Sequence, residues 1–254
     1  MLRRGPFFFV FLSMQSTLLT TYSERLAETL PRLREQIARA EAAAGRGEGV
    51  VRLIAVTKSH PLECVEAALG AGLRDLGENR VEELEAKVGH FGADAATWHM
   101  IGHLQSRKAR RAVAVADVVH SVDSLKLARK VSSAAMDGGG LVEVLVQVNT
   151  SGEESKSGFA VSSAFDEIAE LSQLPGLRVN GLMTMAPFID DEVVLANAFA
   201  SLRRLSEALV SAINGFGGEL SMGMTNDLDV AIREGSTMVR IGTALFGPRP
   251  GYTT

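Results

Sequence analysis

Lys58 closes an apolar run, Val51-Arg-Leu-Ile-Ala-Val-Thr-Lys58, and Ser59-His60-Pro61 follows it. An ammonium delivered at the end of an interior strand is partly desolvated, which weakens its hold on its proton. The neutral amine can then attack an aldehyde and form a Schiff base. The simpler reading is a surface lysine at a strand end. Two further segments suit an anion such as phosphate. Gly223-Met224-Thr225-Asn226-Asp227 joins a flexible glycine to hydroxyl and amide groups just before a helical pattern, and Thr225 and Asn226 are natural N-caps there. The free N–H groups and partial positive charge of such a start attract anions. Gly242-Thr243 pairs close backbone approach with a hydroxyl in the same way. Plain helix capping and a tight turn are the alternatives. Arg240 precedes that second segment, carries an effectively permanent charge, and has two readings: a donor to a ring acceptor, or an ion pair with Glu78 or Asp227.

These residues share a site only if the elements bearing them end at one place. Strand-like runs fall at 50–56, 74–76, 97–101, 118–122, 142–149, 178–183, 219–222 and 238–241. Helical patterns lie between them at 62–71, 81–88, 105–116, 125–136, 164–174, 192–213 and 227–234. Several of the runs are continuously apolar, as in strands covered on both faces. Eight strands with a helix in each gap predict an α/β fold, a single (β/α)8 TIM barrel. A doubly wound open sheet is the alternative, but no Gly-x-Gly-x-x-Gly loop follows the first strand. In a barrel the active site lies at the C-terminal strand ends. Lys58, Asn79, His103, Met224 to Asp227, Arg240 and Thr243 should therefore converge. Ahead of the barrel, residues 16–46 read as a helix, with Leu26, Leu30, Leu33, Ile37 and Ala40 at three- and four-residue steps. Pro31 should bend or divide it.

At 254 residues, with 46% hydrophobic and 22% charged residues, the chain is composed like a globular protein. A net charge of -4 argues against nucleic acid as a partner, because phosphate backbones select basic faces. Cys64 is the single cysteine, so no intramolecular disulfide forms and a reducing compartment is permitted. It is expected to pack as a small apolar residue. His99 and His103 straddle a strand end and a glycine, which is not the spacing of a helical metal pair. Arg3 and Arg4 before the apolar stretch 7–12 imitate a signal peptide, yet no small-x-small cleavage site follows. The stretch is also too short to span a bilayer. Residues 1–15 are expected to be a disordered extension or a start-site artefact, with Met14 as the true start, and 16–254 to be the barrel domain. About a dozen residues follow the last strand, so no second domain is expected after it.

With these motifs assembled, the chain resembles the YggS/PROSC family of pyridoxal phosphate homeostasis proteins from about Ser23 to Gly247. The matching stretches are AVTKSHP, DLGENRVEE, WHMIGHLQSRK, VHSVDS, QVNTSGEESKSGF, GLMTM, LSMGMTNDLDVAI and GSTMVRIGTALFG. The resemblance implies a fold type III barrel like the N-terminal domain of alanine racemase, without that enzyme's C-terminal β domain. It implies pyridoxal phosphate held as a Schiff base on Lys58. It assigns phosphate binding to Met224, Thr225, Asn226, Gly242 and Thr243, the pyridine nitrogen to Arg240, and the ring side to Asn79. Family members usually carry serine where this chain has Thr225; the hydroxyl survives on a stiffer, β-branched side chain.

An arginine at the ring nitrogen keeps it unprotonated and weakens the cofactor as an electron sink. Alanine racemase-like enzymes also take an opposing tyrosine from the C-terminal domain. Tyr22 and Tyr252 are the only tyrosines here, and neither occupies an expected strand-end loop. The expected function is therefore a non-catalytic, cytoplasmic, monomeric carrier in vitamin B6 homeostasis that passes pyridoxal phosphate to apoenzymes and engages neither nucleic acid nor membrane. A low-activity amino-acid racemase is one alternative, and a cofactor-free Schiff-base aldolase acting on a sugar phosphate is another.

Overall fold

The computed structural model describes residues 6–153 and 156–249, with residues 6–17 described by their backbone. Nine parallel strands form: β1 (Arg52–Val56), β2 (Asp75–Glu78), β3 (Thr97–Met100), β4 (Val118–Val122), β5 (Val142–Asn149), β6 (Phe159–Ala160), β7 (Leu177–Met183), β8 (Glu219–Ser221) and β9 (Met238–Ile241). Their order is β4-β3-β2-β1-β9-β8-β7-β5-β6, and β4 also pairs with β5. That last pairing closes an eight-stranded ring and leaves β6 as a two-residue addition on the outer end of β5. The open-sheet alternative is thereby excluded, and the fold is a (β/α)8 barrel.

The helices are α1 (Pro6–Ala43), α2 (Leu62–Gly70), α3 (Val81–Phe91), α4 (Ala109–Val113), α5 (Leu125–Asp137), α6 (Val161–Leu171), α7 (Glu192–Ala212), α8 (Leu228–Arg233) and α9 (Thr243–Phe246). α1 packs on α2, α8 and α9. Leu26, Leu30, Leu33, Ile37 and Ala40 are all buried there, so the spacing of its apolar stripe explains its docking. Each fully buried leucine contributes on the order of 2 kcal/mol. The helix starts at Pro6, ten residues ahead of the expected start at Ser16, and Pro31 does not divide it. Polar ties fix it further: Thr29 Oγ1 donates to Leu245 O at 2.9 Å, and the buried Glu41 accepts from the N–H groups of Gly49 and Val51 at 3.0 and 2.7 Å. The expected helix over 105–116 is shorter, a 3-10 turn at Ser106–Lys108 followed by α4.

The main core lies between barrel and helices. A second, small core of Ile54, Val118, Leu145, Met183 and Met238 fills the barrel interior, as packed barrels require. Cys64 is buried and free, and desolvation pushes its thiol pKa up, which makes it inert packing. No described helix is long and apolar enough to cross a membrane.

Candidate functional site

β1 delivers Lys58 as expected, through a turn with an unusual backbone. Ser59 adopts a left-handed φ of +60°, uncommon for a residue with a Cβ. Two bonds hold it: Glu83 Oε2 accepts from Ser59 N–H at 2.7 Å, and His60 N–H donates to Thr57 O at 3.1 Å. Beneath this turn Lys87 Nζ donates to Thr57 O at 2.8 Å and to Glu78 Oε1 at 2.6 Å. Thr57 Oγ1 donates to the same carboxylate oxygen at 2.5 Å. Glu78 and Lys87 are both buried, so the turn carrying Lys58 rests on an internal ion pair. Burial lowers the Lys58 pKa, and the charges of Arg249 and Arg240 lower it further. The amine is thus biased toward its neutral, nucleophilic form.

Lys58 opens into a cavity of about 410 Å³ at the C-terminal mouth of the barrel, within the usual range for small-ligand sites. Asn79, Met224, Thr225, Arg240, Gly242 and Thr243 line the same cavity. Seven of the eight residues singled out in the sequence are therefore brought together by geometry. Asn226 is the exception, because it lines an adjoining groove beside Phe188 and Asp227. The N-cap expectation for Thr225 and Asn226 is also corrected. α8 starts at Leu228, Asp227 occupies its N-cap position, and the Asp227 carboxylate turns back to accept from Met224 N–H at 2.5 Å. That bond shapes 224–227 into a turn instead of a first helical turn. Gly223 permits it with φ +99°, where a Cβ would meet Ala231 Cβ at 2.7 Å. Among the described residues no acceptor meets the backbone N–H of Thr225, Asn226 or Thr243.

Arg240 is buried, and its side-chain partners are neither Glu78 nor Asp227, the ion-pair alternative left by the sequence. Its Nη1 donates to Ser221 O and Ser221 Oγ at 2.7 and 2.6 Å, and its Nη2 donates to Thr184 O at 2.9 Å. Glu78 is engaged by Lys87, and Asp227 by Met224 N–H. Desolvation brings the guanidinium pKa down to about 10, with Asp227 opposing the shift, so it stays charged near neutral pH. Lys156, Ser157 and Met185, which follow the strand-like runs 142–149 and 178–183, also line the cavity, as do Gln147 and Arg249, which sequence reasoning did not single out. His103 lines the mouth, whereas His99 is buried inside the barrel. Among the described residues no group of three or more His, Cys, Asp or Glu is arranged to hold a metal ion. Tyr22 is tied elsewhere, its hydroxyl 2.9 Å from His60 Nδ1, and Tyr252 lies outside the described residues.

A desolvated amine suits a carbonyl carbon, and free N–H groups on two neighbouring turns suit a phosphate. Fold and site together define a (β/α)8 barrel whose mouth gathers a desolvated amine, a buried guanidinium and two turns with free N–H groups. Residues 29–250 match the family described as alanine racemase, N-terminal domain. A Pseudomonas aeruginosa protein named pyridoxal phosphate homeostasis protein is 42% identical over 231 residues, covering 91% of this chain and 97% of its own. One of the same name from Aquifex aeolicus is 36% identical, with 87% and 97% covered. The chain belongs to this family of pyridoxal phosphate homeostasis proteins, within the alanine racemase N-terminal domain class. Among solved structures, PipY of Synechococcus elongatus with PLP bound superposes with a TM-score of 0.73 at 36% identity, covering 83% of this chain and all of that one. An alanine racemase from Clostridium difficile shares the fold, with a TM-score of 0.73 at 17% identity over 90% of this chain and 58% of that one.

Proposed function

We propose that this chain binds pyridoxal phosphate as a Schiff base on Lys58 and serves as a carrier in vitamin B6 homeostasis. The observation that carries this reading is the single cavity shared by Lys58, Arg240 and the two turns at Thr225 and Gly242-Thr243. The donor set fits the cofactor's three functional ends. The Lys58 amine suits the aldehyde carbon, forming a C=N bond with loss of one water. Backbone N–H groups at Thr225 and Thr243, with their hydroxyls, suit the phosphate. Gly242 keeps that turn close to β1, since a Cβ there would stand 3.1 Å from Val56 O. Arg240 suits the ring nitrogen as a donor, and Asn79 suits the ring side.

Bound this way, the cofactor supplies an electron sink of reduced strength, because a guanidinium donor leaves the ring nitrogen unprotonated. The chain's own groups then bind and orient, and the family name of its relatives supports a carrier over an enzyme. We further infer that residues 16–254 form the cofactor-binding domain and that the protein acts as a cytoplasmic monomer delivering cofactor to apoenzymes. The buried, inert thiol of Cys64 fits a reducing compartment.

The test is borohydride reduction of the cofactor-loaded protein followed by peptide mass mapping. A pyridoxyl adduct on Lys58, lost in Lys58→Ala, is expected. An unmodified Lys58 in loaded, reduced protein would overturn the reading.

A further inference from the structure

The barrel interior holds an unbroken line of polar side chains that binding leaves unused. Asp75 opens β2 at the closed end of the barrel, with its side chain 22% exposed. His99 Nε2 lies 3.1 Å from Asp75 Oδ1, and His99 Nδ1 lies 2.9 Å from His120 Nε2. His120 Nδ1 lies 3.0 Å from Ser221 Oγ, and Arg240 Nη1 donates to that oxygen at 2.6 Å. His99, His120 and Ser221 are fully buried. Four contacts thus connect a carboxylate at one end of the barrel to the guanidinium that lines the cavity at the other.

With both imidazoles neutral, the two ends fix the direction of every proton between them. A carboxylate only accepts, so His99 Nε2 carries a hydrogen and donates to Asp75. A neutral His99 then accepts at Nδ1, which requires a hydrogen on His120 Nε2. His120 in turn accepts at Nδ1, so the Ser221 hydroxyl donates to it and leaves its lone pairs for Arg240 Nη1. Arginine only donates, so the far end agrees. The opposite order would set two acceptors against each other at Asp75. Burial, then His99 and Arg240, hold His120 far below its usual pKa, in keeping with a neutral imidazole there.

We infer that Asp75, His99, His120 and Ser221 form a unidirectional positioning relay that fixes the Arg240 side chain at the cofactor ring from the opposite end of the barrel. None of the four lines the cavity, so each acts through Arg240. A chain of aligned donors polarises each bond in it, and a fully satisfied buried network admits one arrangement. Ser221 grips Arg240 through both its hydroxyl and its carbonyl, and β8 and β9 are paired at Ser221 and Met238. The guanidinium therefore cannot turn without breaking the line. The link to the cofactor rests on the proposed reading of the cavity; the relay itself does not.

The experiment uses histidine-labelled full-length protein and two variants, Asp75→Ala and Asp75→Asn. Imidazole nitrogen NMR of the cofactor-free protein is expected to show His99 and His120 both neutral with the hydrogen on Nε2. Asp75→Ala should abolish that fixed tautomer at His99 and His120, and Asp75→Asn, whose amide oxygen still accepts, should restore it. Titration with pyridoxal phosphate should give a Kd raised about threefold to tenfold in Asp75→Ala, the effect of loosening one hydrogen bond, and close to wild type in Asp75→Asn. Either imidazole carrying its hydrogen on Nδ1 in the wild-type protein overturns the relay. Unchanged tautomers and Kd in Asp75→Ala overturn it as well. Wild-type protein that binds no pyridoxal phosphate overturns the cofactor reading instead, because the imidazole signals are read without it.

Discussion

Lys87→Met isolates the support beneath Lys58. In the native protein Lys87 Nζ makes two bonds, 2.6 Å to Glu78 Oε1 and 2.8 Å to Thr57 O. Glu78 is wholly inaccessible, and its Oε2 has no partner among the described residues. Removing the ammonium strands a buried carboxylate held only by the Thr57 hydroxyl. Breaking a buried pair by deleting one partner costs about 3–5 kcal/mol, because the remaining charge keeps its desolvation penalty. For a chain of this length that lowers Tm by about 10 °C. The double variant Lys87→Met/Glu78→Gln removes both charges and should recover more than half of the loss, since a buried amide is far cheaper to desolvate than a carboxylate. Thermal and urea denaturation of both variants give the cycle. A Lys87→Met loss below about 1 kcal/mol, or a double variant less stable than the single one, would refute the account. The Thr57 carbonyl also loses a donor in both proteins, so pyridoxal phosphate affinity should stay weakened even where stability returns.

Further outcomes follow from single contacts. Thr225→Val keeps the shape and loses the hydroxyl, so pyridoxal phosphate Kd should rise about threefold to tenfold, while Thr225→Ser stays near wild type; equilibrium titration checks both. Gly102→Ala places a Cβ 2.3 Å from Asn79 O, which forces the ends of β2 and β3 apart. It should cost about 3 kcal/mol in urea denaturation and weaken cofactor binding as Asn79 moves. His60 is held neutral, its pKa lowered from 6.5 to about 4 by burial and then by the charges of Lys87, Arg249 and Arg25. A depressed folded pKa means stability present above pH 6.5 and lost as the pH falls toward 4. Wild type should therefore lose more stability than His60→Gln across that window, and parallel pH profiles would contradict this.

Local signals made the barrel legible. Strand-like runs, several of them continuously apolar, marked the eight ring strands, and the stripe on α1 marked its buried face. β6, at two residues, carries no periodicity to read. The strand-end rule then gathered Lys58, Asn79, Thr225, Arg240 and Thr243 before any contact was seen. What sits behind those residues was hidden, for a physical reason. His120 meets Ser221 across 101 residues and Arg240 meets Thr184 across 56, and nothing in a local window encodes either meeting. Asp227 looked like a partner for Arg240 because charge alone was visible. In the structure its carboxylate is taken by the Met224 N–H three residues away, a local bond that outcompetes the longer reach.

The same charges that prepare Lys58 also tell the cavity whether it is filled. Burial, Arg249 and Arg240 all disfavour the Lys58 ammonium, so an empty cavity holds an amine ready for an aldehyde. A phosphate settling at Thr225 and Thr243 brings negative charge into that cavity and offsets the arginines. With the anion site occupied and the amine still free, Lys58 should then regain proton affinity. Inorganic phosphate separates this effect from the covalent step, because it fills the anion site and offers no carbonyl. The rate of Lys58 labelling by an amine-reactive reagent, followed by mass spectrometry against pH, reports the midpoint directly. Phosphate should move that midpoint upward, and Thr225→Val should reduce the displacement. A midpoint that stays fixed or falls on adding phosphate would mean that the two turns do not place their anion near Lys58, and the assignment of the cavity's phosphate end would fail with it.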